Sequence, residues 1–436
     1  MTAADTHRAI EAVWRIESAK LIAGLARMVG DIGIAEDLAQ DAFIAALDTW
    51  PRTGVPDKPG AWLMATAKRR AIDVLRRDQM LERKHQELGH ELEAKQDTPP
   101  DLDTALDDDV GDDLLRLIFV ACHPILSTEA RLALTLRLLG GLTTEEIARA
   151  FLVPVPTIAQ RIVRAKKTLA DAHVPFEVPR RAELAARLSS VLEVVYLIFN
   201  EGYSATAGDD WVRPALCEDA LRLGRILAEL APGEPEVHGL VALLEIQASR
   251  LRARVGPSGE PILLLDQDRA RWDQLLIRRG LAALERAEAL ALVQGARGAY
   301  ALQAAIAACH ARARTGESTD WTRIAALYAA LAQISPSPVV ELNRAVAIGM
   351  AFGPAAGLAI ADTLASEGAL EEYHLLPAVR GDLLAKLGRY EEARAELERA
   401  ARLTRNLRER DLLLERVATM ANATIPVLGG DRELAG

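Results

Sequence analysis

Residues 142–169 read L-T-T-E-E-I-A-R-A-F-L-V-P-V-P-T-I-A-Q-R-I-V-R-A-K-K-T-L, and this stretch spells two helices joined by a tight turn. Thr143 suits an N-cap, and Glu146 three residues later completes a capping box. Ile147, Ala148 and Phe151 give the first helix its apolar side. Residues 152–155 form the turn. Pro156 fits the start of the second helix, where a missing N–H costs nothing. In that second helix Ile158, Ile162, Ala165 and Leu169 form one stripe. Thr157, Gln160, Arg161, Arg164 and Thr168 form another, about 110° round the wheel. A helix packed by one side that offers Thr, Gln and Arg on another has the make-up of the recognition helix of a helix-turn-helix, which lies in the major groove. Arg can be bidentate to guanine and Gln to adenine, while Lys166 and Lys167 suit phosphates. The competing reading is an ordinary helical hairpin with a solvated basic face; the two separate stripes favour DNA.

Working outward, the chain has 436 residues, too many for one core, so several domains are expected. Hydrophobic residues make up 50% and charged residues 26%, a globular profile. Aromatics are only 4%, long alternating strands are absent, and Ala, Leu, Glu and Arg recur at helical spacing, so the fold is predicted to be all-α. A net charge of −10 argues against nucleic acid only if the charge is evenly spread, and here basic and acidic segments are separated. Cys122, Cys217 and Cys309 are odd in number and far apart, without CxxC or His-x-x-x-His spacing. Neither a disulfide scaffold nor a metal site is expected, and Cys122-His123 and Cys309-His310 read as core. With no spanning or leader-like apolar stretch, a cytoplasmic protein that does not engage a membrane is expected.

Residues 7–30 form an amphipathic helix with Ile10, Val13, Trp14, Leu21, Leu25 and Met28 as its core side. In residues 34–47, Glu36, Asp37, Gln40 and Asp41 cluster, and Phe43 and Ile44 cannot both be buried with Leu38. Acids beside exposed apolar groups suit a protein partner; acids near a helix start also simply favour the dipole. Residues 49–60 read as a Pro/Gly-rich loop. In the helix at 61–77, Trp62, Thr66, Arg69, Asp73 and Arg76 share one face, with Arg70 and Arg77 alongside and Lys68 nearby. Met64, Ala67, Ala71, Val74 and Leu75 lie opposite. Five basic residues against one acid, beginning at an aromatic, suit phosphates and a stacked base, against a solvated basic face; the arginines favour nucleic acid, whereas Trp62 taken alone reads as core. Asp73 is expected to pair with Arg69 and Arg77. Residues 88–113 are acidic and Pro-containing, a linker that could cover a basic surface.

Helices at 114–121 and 128–139, the second capped by Ser127 or Thr128, lead into the helix-turn-helix. Beyond two prolines the chain is helical again, with a buried helix ending near Gly202. Further helices are expected at 215–230, 234–254, 266–276 and 279–292. Glu201 and Tyr203 lack a matched nucleophile and base, so capping and turn roles are expected of them rather than catalysis. Gly381, Gly388, Tyr390, Ala393, Leu397 and Ala400 fit a tetratricopeptide pattern. Asn343, Gly349, Phe352, Ala356 and Ile360 echo it, and Ala304, Trp321, Ile324, Tyr328 and Pro336 form a weaker third copy. Helix pairs of this kind present a concave surface to a protein or peptide ligand.

Two basic modules joined by an acidic linker resemble a bacterial extracytoplasmic-function sigma factor of the sigma-70 family. A-E-D-L-A-Q-D-A-F and W-L-M-A-T-A-K-R-R-A-I-D-V-L-R-R resemble its region 2, and the 141–165 stretch resembles its region 4. A-C-H-P-I-L-S and Y-L-I-F-N-E-G-Y-S-A-T make the whole chain similar to the subgroup with a large tetratricopeptide-like extension. The resemblance implies region 2 at 1–85, a linker at 86–113, region 4 at 114–175, a helical extension at 176–295 and repeats at 296–425. It implies promoter DNA and core RNA polymerase (β′ clamp and β flap) as partners, no cofactor, and no catalysis of its own. Glu36, Asp37, Gln40, Asp41, Phe43 and Ile44 would hold the polymerase. Trp62, Lys68, Arg69, Arg70, Asp73, Arg76 and Arg77, with the 49–60 loop, would capture and melt the −10 element. Thr157, Gln160, Arg161, Arg164, Lys166 and Lys167 would read the −35 element. Where the family often has Asn this chain has Arg69, which implies an altered or more electrostatic −10 readout. The extension is expected to regulate in place of a separate inhibitor. The rival is a stand-alone helix-turn-helix regulator with a tetratricopeptide sensor, which leaves the helix at 61–77 unexplained.

Overall fold

The computed structural model describes residues 3–88, 110–151, 153–179, 181–205, 207–295, 297–368 and 370–423. Among them eighteen α-helices account for nearly all regular structure, and strand pairing is limited to one two-residue pair and an isolated bridge, Val255 to Pro261. The all-α expectation therefore holds. The helices form two units, Met1–Leu197 and Ile198–Gly436.

The first unit begins with three mutually packed helices, α1 (Ala3–Val29), α2 (Ile32–Thr53) and α3 (Pro59–Leu88). Ile10, Leu21 and Leu25 are buried as expected, and half-buried Trp14 packs on Phe43 with ring centroids 4.7 Å apart. Asp31 caps α2 by accepting from the N–H groups of Gly33 (2.6 Å) and Ile34 (2.9 Å). The segment at 49–60, expected as a loop, is helical as far as Thr53 despite Pro51. A proline inside a helix removes a hydrogen bond and normally breaks it. Here the indole of Trp50 is 1% exposed, and its burial carries the helix on to Gly54, whose φ of 84° ends it. On α3, Ala67 and Ala71 are buried as expected, together with Leu63, which periodicity had not marked.

Four more helices follow: α4 (Val110–Ala121), α5 (Thr128–Leu138), α6 (Thr144–Phe151) and α7 (Val155–Asp171). Helix α4 starts inside the segment expected to be linker. Asp113 is buried there and pairs with Arg27 of α1 (3.0 Å) and with Arg116 (2.6 Å). Residues 89–109, and with them any covering role for the acidic stretch, lie outside the described residues. Ser127 caps α5 through Ala130 N–H. Helix α8 (Arg181–Tyr203) opens by gripping the α4–α5 corner: Ser190 donates to Cys122 O (2.7 Å), Arg187 to Phe119 O (3.0 Å), and Arg131 pairs with Glu193 (3.1 Å).

In the second unit, α9 (Pro214–Leu230), α10 (Pro235–Ala248), α11 (Gln274–Gln294) and α12 (Ala299–Arg312) surround a core in which α10 is buried nearly all round. A Cβ at Gly239 would lie 2.6 Å from Ala301 N, so α10 and α12 cross in backbone contact. The expected helix at 266–276 does not form. Asp268 and Asp273 instead act as caps, Asp268 for a short 3-10 turn and Asp273 for a single α11 that also absorbs the helix expected from 279. Hairpins then stack in order: α13 (Trp321–Ile334), α14 (Pro338–Phe352), α15 (Pro354–Ser366), α16 (Leu375–Lys386), α17 (Tyr390–Leu403) and α18 (Leu407–Ala423). Gly381 packs under Leu397, and Ala393, Leu397 and Ala400 of the pattern at 378–400 are buried, whereas its Tyr390 is exposed. The earlier copy is out of register: Ala356 is exposed, and the buried side of α15 is Gly357, Leu358, Ala361 and Leu364. Strand β1 (Ala207–Gly208) pairs in parallel with β2 (Arg405–Asn406), and the buried Asn406 amide donates to Ala205 O (2.9 Å) and Asp210 O (2.8 Å), clasping the unit's first and last parts.

Candidate nucleic-acid interface

Helices α6 and α7 form as the sequence dictates. Thr143 N–H donates to Glu146 Oε2 (2.8 Å) and Glu146 N–H to Thr143 Oγ1 (3.1 Å), a complete capping box. Ile147 and Ala148 are buried, and Phe151 is half-buried; Leu152 lies outside the described residues. Ile158, Ile162, Ala165 and Leu169 are all buried, which fixes the rotation of α7. Gln160, Arg164 and Lys167 consequently stand exposed, with Thr157 and Arg161 half-buried beside them. A row of donors on a helix anchored by its opposite stripe can meet base edges and phosphates together.

Lys166 is placed differently. Its ammonium forms an ion pair with Glu36 of α2, and Arg137 of α5 pairs with the same carboxylate at 2.6 Å. Gln40 donates to Glu36 Oε1 at 2.6 Å, and Arg137 also donates to Leu142 O at 3.1 Å. Glu36 is only 3% exposed. Burial alone would raise its carboxyl, but Lys166 and then Arg137 more than offset that and hold it below the ordinary carboxylate range. The expected open acidic face of α2 is thus interrupted at its first member, because two cations from the helix-turn-helix module enclose it. Asp37 and Asp41 stay exposed, Asp41 pairing with Arg70 at 2.8 Å. Ile44 is 56% exposed and Phe43 is half-buried. Gln40, Phe43 and Ile44 help line a groove of about 780 Å³, together with Arg137, Thr143 and Glu146. Nothing in the sequence around Arg137 marked it as part of this arrangement.

On α3, Arg69, Asp73 and Arg76 are exposed, and Lys68, Arg70, Trp62 and Thr66 are half-buried. The Arg77 side chain lies outside the described residues. The expected Asp73–Arg69 pair does not form, leaving Asp73 in solvent at the centre of a basic face. Trp62 meets the buried Trp50 edge-on at 5.3 Å, so one side of its ring is packed and it is neither core nor free.

Elsewhere the cysteines are buried and free, and burial pushes Cys122 to about 11 and Cys217 to about 12. Among the described residues no group of His, Cys, Asp and Glu could hold a metal ion, and no helix is long and apolar enough to cross a membrane. Glu201 and Tyr203 are not caps: Glu201 pairs with Arg213, and the Tyr203 hydroxyl accepts from Arg250.

Comparison with known proteins agrees with this geometry. The sequence profile of sigma-70 region 2 matches residues 17–80, that of sigma-70 region 4 matches 116–169, and that of a family of unknown function (DUF6596) matches 187–288. An uncharacterized protein of Rhizobium meliloti is 44% identical over 387 residues, 88% of this chain and 89% of that protein. The probable ECF RNA polymerase sigma factor SigI of Mycobacterium tuberculosis is 28% identical over 171 residues, 38% of this chain and 57% of its own length. No solved structure matches. The two sigma-70 regions include the basic α3 face and the α6–α7 pair, and the Rhizobium meliloti relative is similar over most of the chain. The chain belongs to the extracytoplasmic-function sigma factors of the sigma-70 family, in a form that carries a large C-terminal extension.

Proposed function

We propose that this sigma factor directs core RNA polymerase to promoters whose −35 element is read by α7 and whose −10 element is opened against α3. The observation that carries the reading is the pairing of a fully buried stripe on α7 with an exposed row of Gln160, Arg164 and Lys167. Arg161 and Gln160 supply base contacts; Lys167 and the α3 arginines supply phosphate contacts, and Trp62 a stacking edge. Asp37, Asp41, Phe43 and Ile44 on α2 dock on the β′ clamp, while the α4–α7 module meets the β flap. Glu36 and Lys166 occupy each other in a resting state, and the two modules part on binding polymerase. The hairpins after residue 296 hold a tetratricopeptide-like surface for a protein or peptide, through which the extension regulates initiation.

Run-off transcription with purified core polymerase on candidate promoters tests the reading. Promoter-dependent transcripts that vanish when Arg69 and Arg76 are both replaced by Ala are expected. Stable duplex binding without polymerase, and no transcript with it, would favour a stand-alone regulator instead. Removing residues 198–436 should change transcript yield; an unchanged yield would remove the extension's regulatory role.

A further inference from the structure

The second unit contains a row of alternating rings and guanidinium groups that the sigma-factor reading does not use. Arg254 lies 3.8 Å from the centre of the Tyr203 ring and 5.2 Å from that of Trp211. Arg250 lies 5.7 Å from both Tyr203 and Trp272, and Arg269 lies 4.6 Å from Trp272. Arg250 is 7% exposed, and Trp272 is 4% exposed. Cations stacked on rings are common. Here three lie in one row, and among the described residues none of them forms an ion pair with a carboxylate.

Several acids nearby in sequence are engaged elsewhere. Glu201 pairs with Arg213 and Glu245 with Arg225, while Asp268 and Asp273 cap backbone N–H groups. Among the described residues the guanidiniums themselves meet only neutral acceptors: Tyr203 Oη and Gln247 for Arg250, Tyr203 O for Arg254, and the carbonyls of His310 and Ala313 for Arg269. Arg250 Nε, Arg254 Nε, Arg269 Nη2 and the indole N–H groups of Trp211 and Trp272 are buried without a hydrogen-bond acceptor. Buried donors are almost always satisfied, and buried charge is costly without a counter-charge. Water could satisfy the donors but would leave the charge uncompensated. A cavity of about 600 Å³ opens beside the row, walled by Trp272, Arg252 and Arg271, with the capping Asp273 at its edge.

We infer that this row is a binding site for a small oxyanion ligand, a carboxylate or a phosphate monoester, entering by the cavity beside Trp272. The planar guanidinium fork matches either group, and the rings hold the forks in place. The site lies wholly within residues 198–436 and does not depend on how the chain reads DNA.

The test uses the full chain, with glycerol 3-phosphate and citrate as separate probes and sodium chloride at equal ionic strength as control. Unfolding temperature and calorimetric titration are followed. One probe is expected to bind saturably, and which one saturates identifies the acid class. Arg250→Gln should weaken that binding about tenfold or more. Arg271→Gln, an exposed change on the cavity wall, should also weaken it and leaves the buried row intact should Arg250→Gln fail to fold. Excluded anions also stabilise proteins, but without saturation and without regard to a single arginine. The inference is overturned if neither probe exceeds chloride, or if the shift is non-saturating or identical in Arg271→Gln.

Discussion

Replacing Glu36 by Gln should release the helix-turn-helix module from the first three helices. The substitution keeps the shape of the side chain and removes its charge. Arg137 and Lys166, whose side chains are each 20% exposed, would then face one another across a neutral amide. Breaking a fully buried ion pair by removing one partner costs about 3–5 kcal/mol, because the other charge is stranded. Both cations can turn partly toward water, which reduces the loss to about 2–3 kcal/mol, or about a 30- to 150-fold shift toward separated modules. The Arg27–Asp113 pair between α1 and α4 remains, so separation should be partial rather than complete.

Energy transfer between dyes at Asp37→Cys and Ala170→Cys reads this directly, since both positions are exposed and the native thiols are buried. The measurement is made without polymerase, so any contact Glu36 makes with polymerase cannot confuse it. Arg137→Gln should open the modules similarly, and the double variant should open them no further than the larger single effect, as expected for one shared interaction. Transfer efficiencies unchanged in Glu36→Gln would refute the lock. The acid dependence has a fixed sign. The folded carboxyl sits below its unfolded value, so the contact is fully present above the ordinary Glu range and is lost as pH falls through the lowered value.

Arg161→Ala should flatten preference among −35 variants by about 1–3 kcal/mol; equal selectivity in parent and variant transcription assays would contradict its base contact. Lys167→Ala should instead weaken all promoters alike and reduce the salt slope by about 1, read from binding titrations across ionic strength. His310 is buried and held down to about 4, first by burial and then by the Arg250 and Arg269 charges. Its unfolded form titrates near 6.5, so the second unit should lose up to about 3 kcal/mol between pH 6.5 and 4, and His310→Gln should flatten that slope in denaturant titrations. Trp50→Ala should destabilise the first unit by about 3–5 kcal/mol, and a cost near zero by calorimetry would mean that α2 does not need the indole to pass Pro51.

What the sequence discloses depends on how local the deciding contacts are. The α6–α7 pair was legible because its capping box spans four residues and its two stripes lie on one helix. The same holds for the buried alanines of α3 and for Ala393 and Leu397. Trp50 was hidden by Pro51: local rules end a helix there, and only burial against distant residues overrides them. The aspartates at 268 and 273 misled for a related reason. Both fit a helical run by spacing, and only the bonds to Ala270, Leu275 and Leu276 reveal them as caps. Arg137 gave no signal at all, since its partner on α2 is 101 positions away.

Glu36 brings these limits to bear on function. One of its oxygens is held by Arg137 and Gln40 and the other by Lys166, so the carboxylate is not presented to a further partner. Lys166 in turn belongs to the row expected to meet phosphate. A single ion pair therefore withholds one residue from each proposed interface at once, and neither can be used while the other is blocked. If α2 docks on polymerase as proposed, that binding would supply the free energy that separates the modules, and separation would free the Lys166 ammonium for phosphate. On the proposed reading the two contacts would favour each other, because whatever binds only the separated form shifts the equilibrium toward it by its own differential affinity.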